Sequence, residues 1–521
     1  MRTRAVPILL FAIGAAYFML LAYASCHVDV AGETWWVLND DIMISQRYSA
    51  NVADGHGPVY NVGERVEGYS NPAVVFLYGA PLEAAGVPPR LFGLAYALVN
   101  AVWHGLILLL LVYAGMPRGA PTAWGLLLGL VYLVSPLHGQ FTSAGFSVYL
   151  QSLVLLLLLH RLARGGWSFY ALLAFLPLIH SILYPVWAGF FAVRLVVGRR
   201  EWRKEAACLA LAALPLAAYF VFRLVYFGEL FPNTYYLKAG GFSQVNAGLA
   251  YISQFAKYTA PLLAGFLVAL YFQGRAQALL LGATGAILFV PYVAFIVDVG
   301  GDLFGRRVLF FFVPVLLFCL RRFAAPPAGL ALKLVAGFVV LQLVLHARGD
   351  WRQFSEGFDQ PYLAWHKQRI VLGLSFAANA APADRVALFG LGWAGYLSER
   401  PALDMLGKTD RHIARTAAKP FRHVAHQKDD PDYVLRLRPE YIECIYDESQ
   451  LADRDFLEKE RLGSWGYWAA LALQPDFAAN YAQLHSACGP LPLYRRKDLP
   501  GRPWAVVEEV FHPCPDAPSA P

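Results

Sequence analysis

Residues 39–72 read NDDIMISQRYSANVADGHGPVYNVGERVEGYSNP and form the longest polar interruption in the first 200 residues. The stretch follows an apolar run at residues 5–25 and opens with two adjacent carboxylates, Asp40 and Asp41. Ionised side chains are costly beside hydrocarbon, and those found at the end of a membrane helix commonly have a function. The stretch therefore predicts a polar site at a bilayer surface, around which the rest of the chain is organised.

The composition on either side of this stretch is that of a membrane protein. The 521 residues are 58% hydrophobic and 15% charged, and the mean hydropathy is +0.45. Soluble domains average about 45–50% apolar and about 25% charged residues. The apolar runs are confined to the first two thirds of the chain. We therefore expect a membrane unit at residues 1–346 and a soluble α/β unit at residues 347–521 that ends in a Pro-rich tail.

Apolar runs of helical length recur throughout the expected membrane unit. They lie near residues 5–25, 91–115, 120–136, 146–161, 205–225, 250–272, 276–297, 307–321 and 328–346. Residues 169–197 add two shorter helices that turn near His180–Pro185, which gives about eleven spans of a polytopic α-helical membrane protein. The first run is longer than the apolar part of a signal peptide, so we expect an uncleaved first span.

The distribution of Lys and Arg predicts the orientation in the membrane. Alternate loops between the apolar runs are basic, and basic loops face the cytoplasm. The N-terminus is then cytoplasmic, and the second unit lies on the outer side of the membrane. The outer loops are residues 26–90, 226–249 and 298–307, provided that residues 73–85 lie along the surface and do not span. The basic excess of +7 thus indicates topology and not nucleic-acid binding.

Each outer loop carries residues suited to a phosphorylated or sugar substrate. The Asp pair suits a general base for a hydroxyl group, or ligation of a divalent cation, and its structural alternative is a helix start. Arg306 and Arg307 oppose the positive-inside trend, which a phosphate clamp or contact with lipid headgroups explains. Asp40 and Asp41 are candidate catalytic residues. The expected substrate- and phosphate-binding residues are Arg47, Tyr48, Glu64, Glu67, Tyr69, Asn71, Asn233, Tyr236, Lys238, Asp302, Arg306 and Arg307.

Three other patterns could indicate a cofactor, a metal site or a disulfide, and each also has an interpretation without a cofactor. Residues 390–395 read GLGWAG and fit the dinucleotide fingerprint GxGxxG, but an extracytoplasmic position favours a tight strand-to-helix turn. The histidines at 412, 423 and 426 have no second cluster that completes a metal site. The cysteines show no metal spacing, and Cys444, Cys488 and Cys514 leave one disulfide possible. We therefore expect no resident metal apart from a possible divalent cation at Asp40 and Asp41.

The polar stretch resembles a known signature, DDxxISxRYAxNLAxGxGLVxNxGExVEGYTNP. This signature belongs to bacterial GT-C-type membrane glycosyltransferases similar to terminal β-(1→2)-arabinofuranosyltransferases. PNTYYLK at 232–238 and GGDLFGRR at 300–307 resemble further motifs of that family, and so do GYLSERPALDMLGKTD at 395–410 and RLRPEYIECIYD at 436–447. Two charged turns of many relatives, GLET and RPEG, are replaced here by residues 145–148 and 180–185.

The resemblance implies a function and its partners. It implies transfer of a sugar, such as a pentofuranose, from a polyprenyl-phosphate donor to a glycan or glycoprotein of the cell envelope, at the outer face of the bacterial inner membrane. It implies Asp40 or Asp41 as the catalytic carboxylate, with Asp40 favoured as the first of the pair, and a lipid phosphate held by Lys238 with Arg306 or Arg307. The alternative is a protein without enzymatic activity, either a translocator of lipid-linked sugars or a glycan receptor. Concentration of charge at one face favours the enzyme.

Overall fold

Helices occupy most of the chain in the computed structural model, which describes residues 2–114, 121–138, 145, 147–238, 244–302, 306–323, 329–356, 360–419, 422, 426–501 and 503–511. The α-helices of the first two thirds are α1 Arg2–Ser25, α2 Asp40–Ala53, α3 Ala80–Ala84, α4 Phe92–Tyr113, α5 Ala123–Leu133, α6 Val148–Arg161, α7 Trp167–Ile179, α8 Tyr184–Val197, α9 Trp202–Tyr226, α10 Asn233–Lys238, α11 Val245–Tyr258, α12 Ala260–Phe272, α13 Arg275–Asp298, α14 Phe312–Arg322 and α15 Leu330–Glu356.

Five of the described helices are long and apolar enough to cross a bilayer, and a sixth span is possible. The five are Ala5–Ser25, Pro89–Tyr113, Arg199–Tyr226, Arg275–Asp298 and Leu330–Gly349. The sixth would join α11 and α12, which meet at a bend of 76°. The eleven expected spans are not all matched, because several apolar helices are short. The 11 residues of α5 extend only about 16 Å, against about 30 Å of hydrocarbon.

The packing of these helices is consistent with a multi-pass membrane protein. Helix α13 leaves Leu279, Leu280 and Val290 at least 60% exposed, as expected for side chains that face lipid. The predicted turn within residues 169–197 is confirmed, since α7 ends at Ile179 and α8 starts at Tyr184.

The last third of the described chain contains a mixed five-stranded sheet with short helices. The helices are α16 Gln360–Asn379, α17 Trp393–Ser398, α18 Pro431–Arg436, α19 Glu448–Ala452, α20 Arg454–Arg461, α21 Tyr467–Ala472 and α22 Pro475–Asn480. The strands are β3 Val386–Leu388, β4 Ala402–Asp404, β5 Tyr441–Glu443, β6 Tyr481–His485 and β7 Pro490–Arg496. They follow the order β4-β3-β5-β7-β6. Strand β3 is parallel to β4 and β5, whereas β7 is antiparallel to β5 and β6.

The sequence predicted part of this sheet. Residues 385–390, 440–446, 493–498 and 504–510 have the sequence character of strands, and β3, β5 and β7 overlap the first three of these predicted segments. The strand predicted at 504–510 is wrong, because those residues form bends and irregular backbone. Strands β4 and β6 were not predicted. Both are short and contain no run of β-branched residues, and pairing with the central strands determines their conformation.

The polar stretch 39–72 joins the helical part of the chain to this sheet. It follows a hairpin of strands β1 His27–Val30 and β2 Glu33–Trp36, forms helix α2, and continues as irregular backbone. Asn51 Nδ2 donates to the carbonyl oxygens of Val59 and Tyr60, which folds this segment back on the helix. Tyr60 Oη donates to the carbonyl oxygen of Leu391 at 2.8 Å. The segment after α2 is thereby fixed against the turn that follows β3.

Candidate functional site

Asp40 is the first residue of α2 and is turned into the protein. Its side chain is buried, and its carboxylate accepts the backbone N–H groups of Gly392 at 2.9 Å and Trp393 at 3.0 Å. Burial raises the pKa of Asp40 to about 6, although the two N–H donors act in the opposite direction. Both oxygens have protein partners, so Asp40 is well placed to fix the geometry of the two segments.

The turn that receives Asp40 is the GxGxxG stretch at 390–395. As expected, it connects a strand, β3, to a helix, α17. In dinucleotide-binding folds, the N–H groups at such a helix start bind phosphate. Here they bind a carboxylate of the same chain, which fills the position that an anionic ligand would take. The turn therefore has a structural role that requires no cofactor.

Gly392 permits the close approach of this turn to α2. A Cβ atom at this position would lie 2.1 Å from the backbone oxygen of Asp40 and 2.4 Å from its Oδ1. We expect Gly392→Ala to lower the free energy of unfolding by about 1–3 kcal/mol, because the backbone must shift to relieve the overlap.

The matched control for this substitution is Gly282→Ala within α13. A Cβ atom at Gly282 meets no other heavy atom within 4 Å, and alanine favours a helix over glycine by about 1 kcal/mol. Thermal unfolding of the purified protein in detergent measures both effects. Equal stability of the two variants would contradict the close contact between Asp40 and Gly392.

Asp41 lies one position further along α2 and faces a different environment. Lys408 donates to Oδ1 of Asp41, and Arg307 Nη1 lies 3.6 Å from its Oδ2. The side chain is 23% exposed, so part of it is open to solvent. Burial raises the pKa of Asp41, but Lys408 and Arg307 together outweigh this effect and hold the pKa below its usual range. Asp41 is thus an ionised carboxylate between two cations.

Arg307 and Lys238 extend this charged group. Arg307 donates to both carboxylate oxygens of Asp302, from Nε at 2.9 Å and from Nη2 at 2.7 Å. Lys238 is open to solvent but has protein on several sides, which lowers its pKa, while Asp302 and Asp41 oppose that change. We call Asp41, Lys238, Asp302, Arg307 and Lys408 the charged cluster. Its three cations and two carboxylates leave a positive excess, which suits a phosphate ligand.

His180 adds an uncharged imidazole near the charged cluster. It lies in the turn between α7 and α8, and its Nε2 is 3.3 Å from the hydroxyl of Ser70. Burial, together with Arg307 and Lys238, lowers the pKa of His180 to about 3. The ring is therefore neutral near pH 7.

Most of the other predicted residues of the polar stretch have structural contacts. Tyr48 Oη donates to the carbonyl of Val66 and accepts from the N–H of Gly68. Tyr69 packs edge-on against Tyr48 at 4.9 Å. Asn71 accepts from the hydroxyl of Ser45 at 3.0 Å, and Arg47 donates to the carbonyl of Tyr396 at 3.4 Å. These four predicted binding residues shape the protein around the charged cluster, and none is described in contact with Asp41.

The two predicted glutamates also lie outside the charged cluster. Glu67 is buried and accepts from Arg223, from Nε at 2.7 Å and from Nη2 at 3.0 Å. Tyr219 donates to the same carboxylate. Glu64 is exposed and accepts from Asn61 at the rim of a separate cavity. Their described contacts therefore assign Glu67 to an internal ion pair and Glu64 to a different surface.

The remaining predicted residues also differ in whether they contact the charged cluster. Asn233 donates to the carbonyls of Gly407, Lys408 and Asp410 and so supports the loop that carries Lys408. Tyr236 lies under the guanidinium of Arg415 at 4.3 Å. Arg306 lies over the ring of Tyr258 at 5.1 Å, and its Nε has no hydrogen-bond partner among the described residues. Of the two adjacent arginines, Arg307 is the one that contacts Asp41.

Sequence reasoning missed Lys408 and His180. Lys408 follows Gly407 in GKTD, within a segment that resembles the glycosyltransferases, but it is 367 residues from Asp41 in sequence. His180 belongs to the turn in which a charged motif of relatives is lacking. In both cases the available signal was that the residue lies in a segment matched to a motif of relatives. Only the fold shows that the residue lies near the charged cluster.

The described residues do not fit a metal ion at the Asp pair. No group of three or more His, Cys, Asp or Glu side chains within the described ranges is arranged to hold one. Lys408 and Arg307 already supply positive charge to Asp41, and Asp40 is occupied by backbone N–H groups.

His423 and Cys514 lie outside the described residues. Cys444 is a free, buried thiol, whereas Cys488 is disulfide-bonded.

The comparisons with known proteins agree with the resemblance noted in the sequence. Residues 361–496 match a family model described as a domain of unknown function, DUF8728. A protein of Mycobacterium tuberculosis named terminal beta-(1->2)-arabinofuranosyltransferase is 28% identical over 237 residues, which are 42% of this chain and 38% of the relative. A protein of Corynebacterium glutamicum with the same name is 28% identical over 253 residues, 43% of this chain and 36% of the relative.

These matches confirm similarity to membrane glycosyltransferases of this kind. Both alignments cover less than two thirds of the relatives' own length.

Proposed function

We propose that this protein is a membrane glycosyltransferase that moves a sugar from a polyprenyl-phosphate donor to a glycan or protein of the cell envelope. The observation that carries the proposal is the position of Asp41 between Lys408 and Arg307, in a chain similar to two arabinofuranosyltransferases. A pentofuranose, such as arabinofuranose, is the sugar that the similarity favours.

The charged cluster suits binding of the donor phosphate. Glycosyl transfer from a polyprenyl phosphate leaves a phosphate group that gains negative charge as the sugar departs. Cations fixed in a partly dry site stabilise such charge more strongly than water does. Arg307 is held by Asp302 and presents its planar guanidinium to the site, whereas Lys238 and Lys408 supply ammonium groups. We assign these three side chains to the phosphate.

Asp41 suits the acceptor side of the reaction. In the arrangement described here, its two cations make it a weak base. A donor phosphate that binds Lys408 and Arg307 would compete with Asp41 for the same cations. The pKa of Asp41 then rises toward its usual range, and the carboxylate becomes a better acceptor for the proton of the attacking hydroxyl. Binding of the donor thus prepares the base, while Asp40 positions α2 against the turn at 390–395.

The proposal also assigns parts to the two regions of the chain. The apolar helices hold the lipid donor in the bilayer, with the N-terminus in the cytoplasm and the charged cluster at the outer face. The region from residue 347 onward forms an extracytoplasmic unit. It contributes Lys408 to the charged cluster, so the site requires both regions.

Lys408 provides a test of the phosphate assignment. We expect Lys408→Met to raise the KM for the donor about tenfold to hundredfold, because it removes one hydrogen bond from a charged group. Lys408 also holds down the pKa of Asp41, so the acidic limb of the pH profile of kcat/KM should move to higher pH. Kinetics with a labelled polyprenyl-phosphoryl sugar in proteoliposomes measure both quantities.

Lys459→Met on the surface of α20 is the matched control for this change. Removal of an unrelated ammonium should leave the donor KM and the pH profile as in the wild type. An unchanged donor KM in Lys408→Met would show that Lys408 does not bind the donor phosphate.

A further inference from the structure

A cavity lies beside the charged cluster and is lined by other residues. It has a volume of about 990 Å³, near the upper end of the range of about 300–1,000 Å³ for small-molecule sites. Residues 61–66 of the polar stretch form one wall, and residues 225–228 at the end of α9 form another. The third wall comes from β4 and the loop after it, through residue 416. The cavity therefore lies between the polar stretch and the C-terminal sheet.

One short loop connects this cavity to the charged cluster. Lys408 in this loop bonds to Asp41, and the neighbouring residues 409–412 line the cavity. Asn233 holds the loop by donating to three of its carbonyl groups. Arg411 donates to the carbonyls of Arg65 and Phe227 and so fixes the loop to the two other walls. A ligand in the cavity would thus lie next to the reacting groups without occupying the donor position.

The cavity wall offers aromatic surfaces beside hydrogen-bonding groups. The ring of His412 stacks on Tyr433 with centroids 4.1 Å apart and an angle of 24° between the rings. The guanidinium of Arg65 lies 4.7 Å from the centre of the Tyr226 ring. His412 lines the cavity with its side chain 46% exposed, so its ring can contact the C–H groups of a sugar, whereas the Tyr226 ring is already contacted by Arg65 and stacked on Phe222. An apolar ligand would leave many of the polar groups around these rings without partners.

The charges around the cavity favour a neutral ligand. Four arginines on the wall are opposed by acids: Arg65 and Arg385 lie with Glu64, Asp404 and Asp410 in the lining, and Arg411 and Arg415 both pair with Glu229. Neutral hydroxyl groups can donate to carboxylates and accept from guanidinium groups, so a ligand with many hydroxyls satisfies both kinds of partner. A ligand of one charge would meet repulsion from part of the wall. This balance differs from the positive excess of the charged cluster.

We propose that this cavity binds a neutral oligosaccharide, the segment of the acceptor glycan that adjoins the sugar residue being extended. The proposal rests on the glycosyltransferase function proposed above. It assigns Glu64 and Arg65 to acceptor binding and gives the loop at 404–412 two ligand-facing sides. One side carries Lys408 toward the donor, and the other contacts the acceptor.

The test is binding of a linear pentofuranose tetrasaccharide to the full-length protein in detergent, measured by calorimetry without donor. The double variant Glu64→Ala/Arg65→Ala should bind at least tenfold more weakly than the wild type, since both side chains are exposed and line the cavity. In transfer assays, its acceptor KM should rise by a similar factor while its donor KM is unchanged. The control is Glu458→Ala/Arg461→Ala, an exposed acid–arginine pair on α20 that should bind as the wild type does.

Two results would overturn the proposal: equal affinity of the double variant and the wild type, or no binding of the tetrasaccharide by the wild type. The Asp41→Asn variant distinguishes this failure from failure of the catalytic assignment. Its tetrasaccharide binding should match that of the wild type although transfer is lost. Normal binding with undiminished transfer would refute the role of Asp41 and support the oligosaccharide site.

Discussion

Asp41→Asn is expected to lower kcat for sugar transfer by about 10²- to 10⁴-fold, the usual contribution of a general base. The amide has nearly the same shape as the carboxylate but does not take up the proton of the acceptor hydroxyl. Asp41 is partly open to solvent and loses only its contacts with Lys408 and Arg307, so the fold should persist. Single-turnover transfer from a labelled donor in proteoliposomes measures the change without interference from product release.

Asp40→Asn provides the matched comparison at the adjacent position. The side-chain amide would place an N–H group against the N–H groups of Gly392 or Trp393, which now donate to the carboxylate. We expect a loss of about 1–3 kcal/mol in the free energy of unfolding. The rate of sugar transfer should fall only to the extent that loss of these hydrogen bonds displaces the turn at 390–395. The opposite pattern, with Asp41→Asn active and Asp40→Asn stable but inactive, would return the catalytic role to Asp40.

Glu67→Ala is expected to lower the free energy of unfolding by about 3–5 kcal/mol, because it leaves a buried guanidinium without its carboxylate. Arg223 is fully buried. It donates to the carboxylate of Glu67 from Nε and Nη2, and to the hydroxyl of Tyr184 from Nη1. The pair joins the polar stretch to α9, so its loss should loosen the site as well. Thermal unfolding in detergent gives the difference from wild type.

Two variants separate this effect from a role of Glu67 in substrate binding. Glu33→Ala removes an acid from an exposed pair with Arg90 and should cost less than about 1 kcal/mol. The double variant Glu67→Leu/Arg223→Met removes both buried charges and should regain much of the lost stability. If Glu67→Ala kept its stability but lost donor or acceptor affinity, the substrate role predicted from sequence would be the better account.

Sequence reasoning singled out several charged residues in polar loops between apolar runs that the structure brings together. Charged residues are rare in such a chain, so the Asp pair, Lys238, Asp302 and Arg307 stood out, and the structure brings all of them near one another. The turn between α7 and α8 was predictable for a similar reason, because polar residues and a proline interrupt an apolar run. The match to arabinofuranosyltransferases agrees with the motifs that these loops carry.

The different surroundings of Asp40 and Asp41 could be seen only in the three-dimensional structure. Neighbouring residues on a helix point in different directions, so adjacent carboxylates do not share an environment. The sequence offered a helix start at the Asp pair only as an alternative, and it did not show that the turn at 390–395 would bind the carboxylate of Asp40. Lys408 was missed for a related reason, since its contact with Asp41 depends on how the C-terminal sheet meets the polar stretch. The number of spans was not confirmed, because hydropathy marks apolar helices without fixing their length.

The most direct test of the central claim is sugar transfer by the purified full chain in proteoliposomes that contain a labelled polyprenyl-phosphoryl pentofuranose and an acceptor glycan. The wild type should release one polyprenyl phosphate for each sugar joined to the acceptor, and Asp41→Asn should do neither at a comparable rate. The claim would be contradicted if folded wild-type protein left every polyprenyl-phosphoryl sugar intact, or carried the whole donor across the bilayer without transferring its sugar.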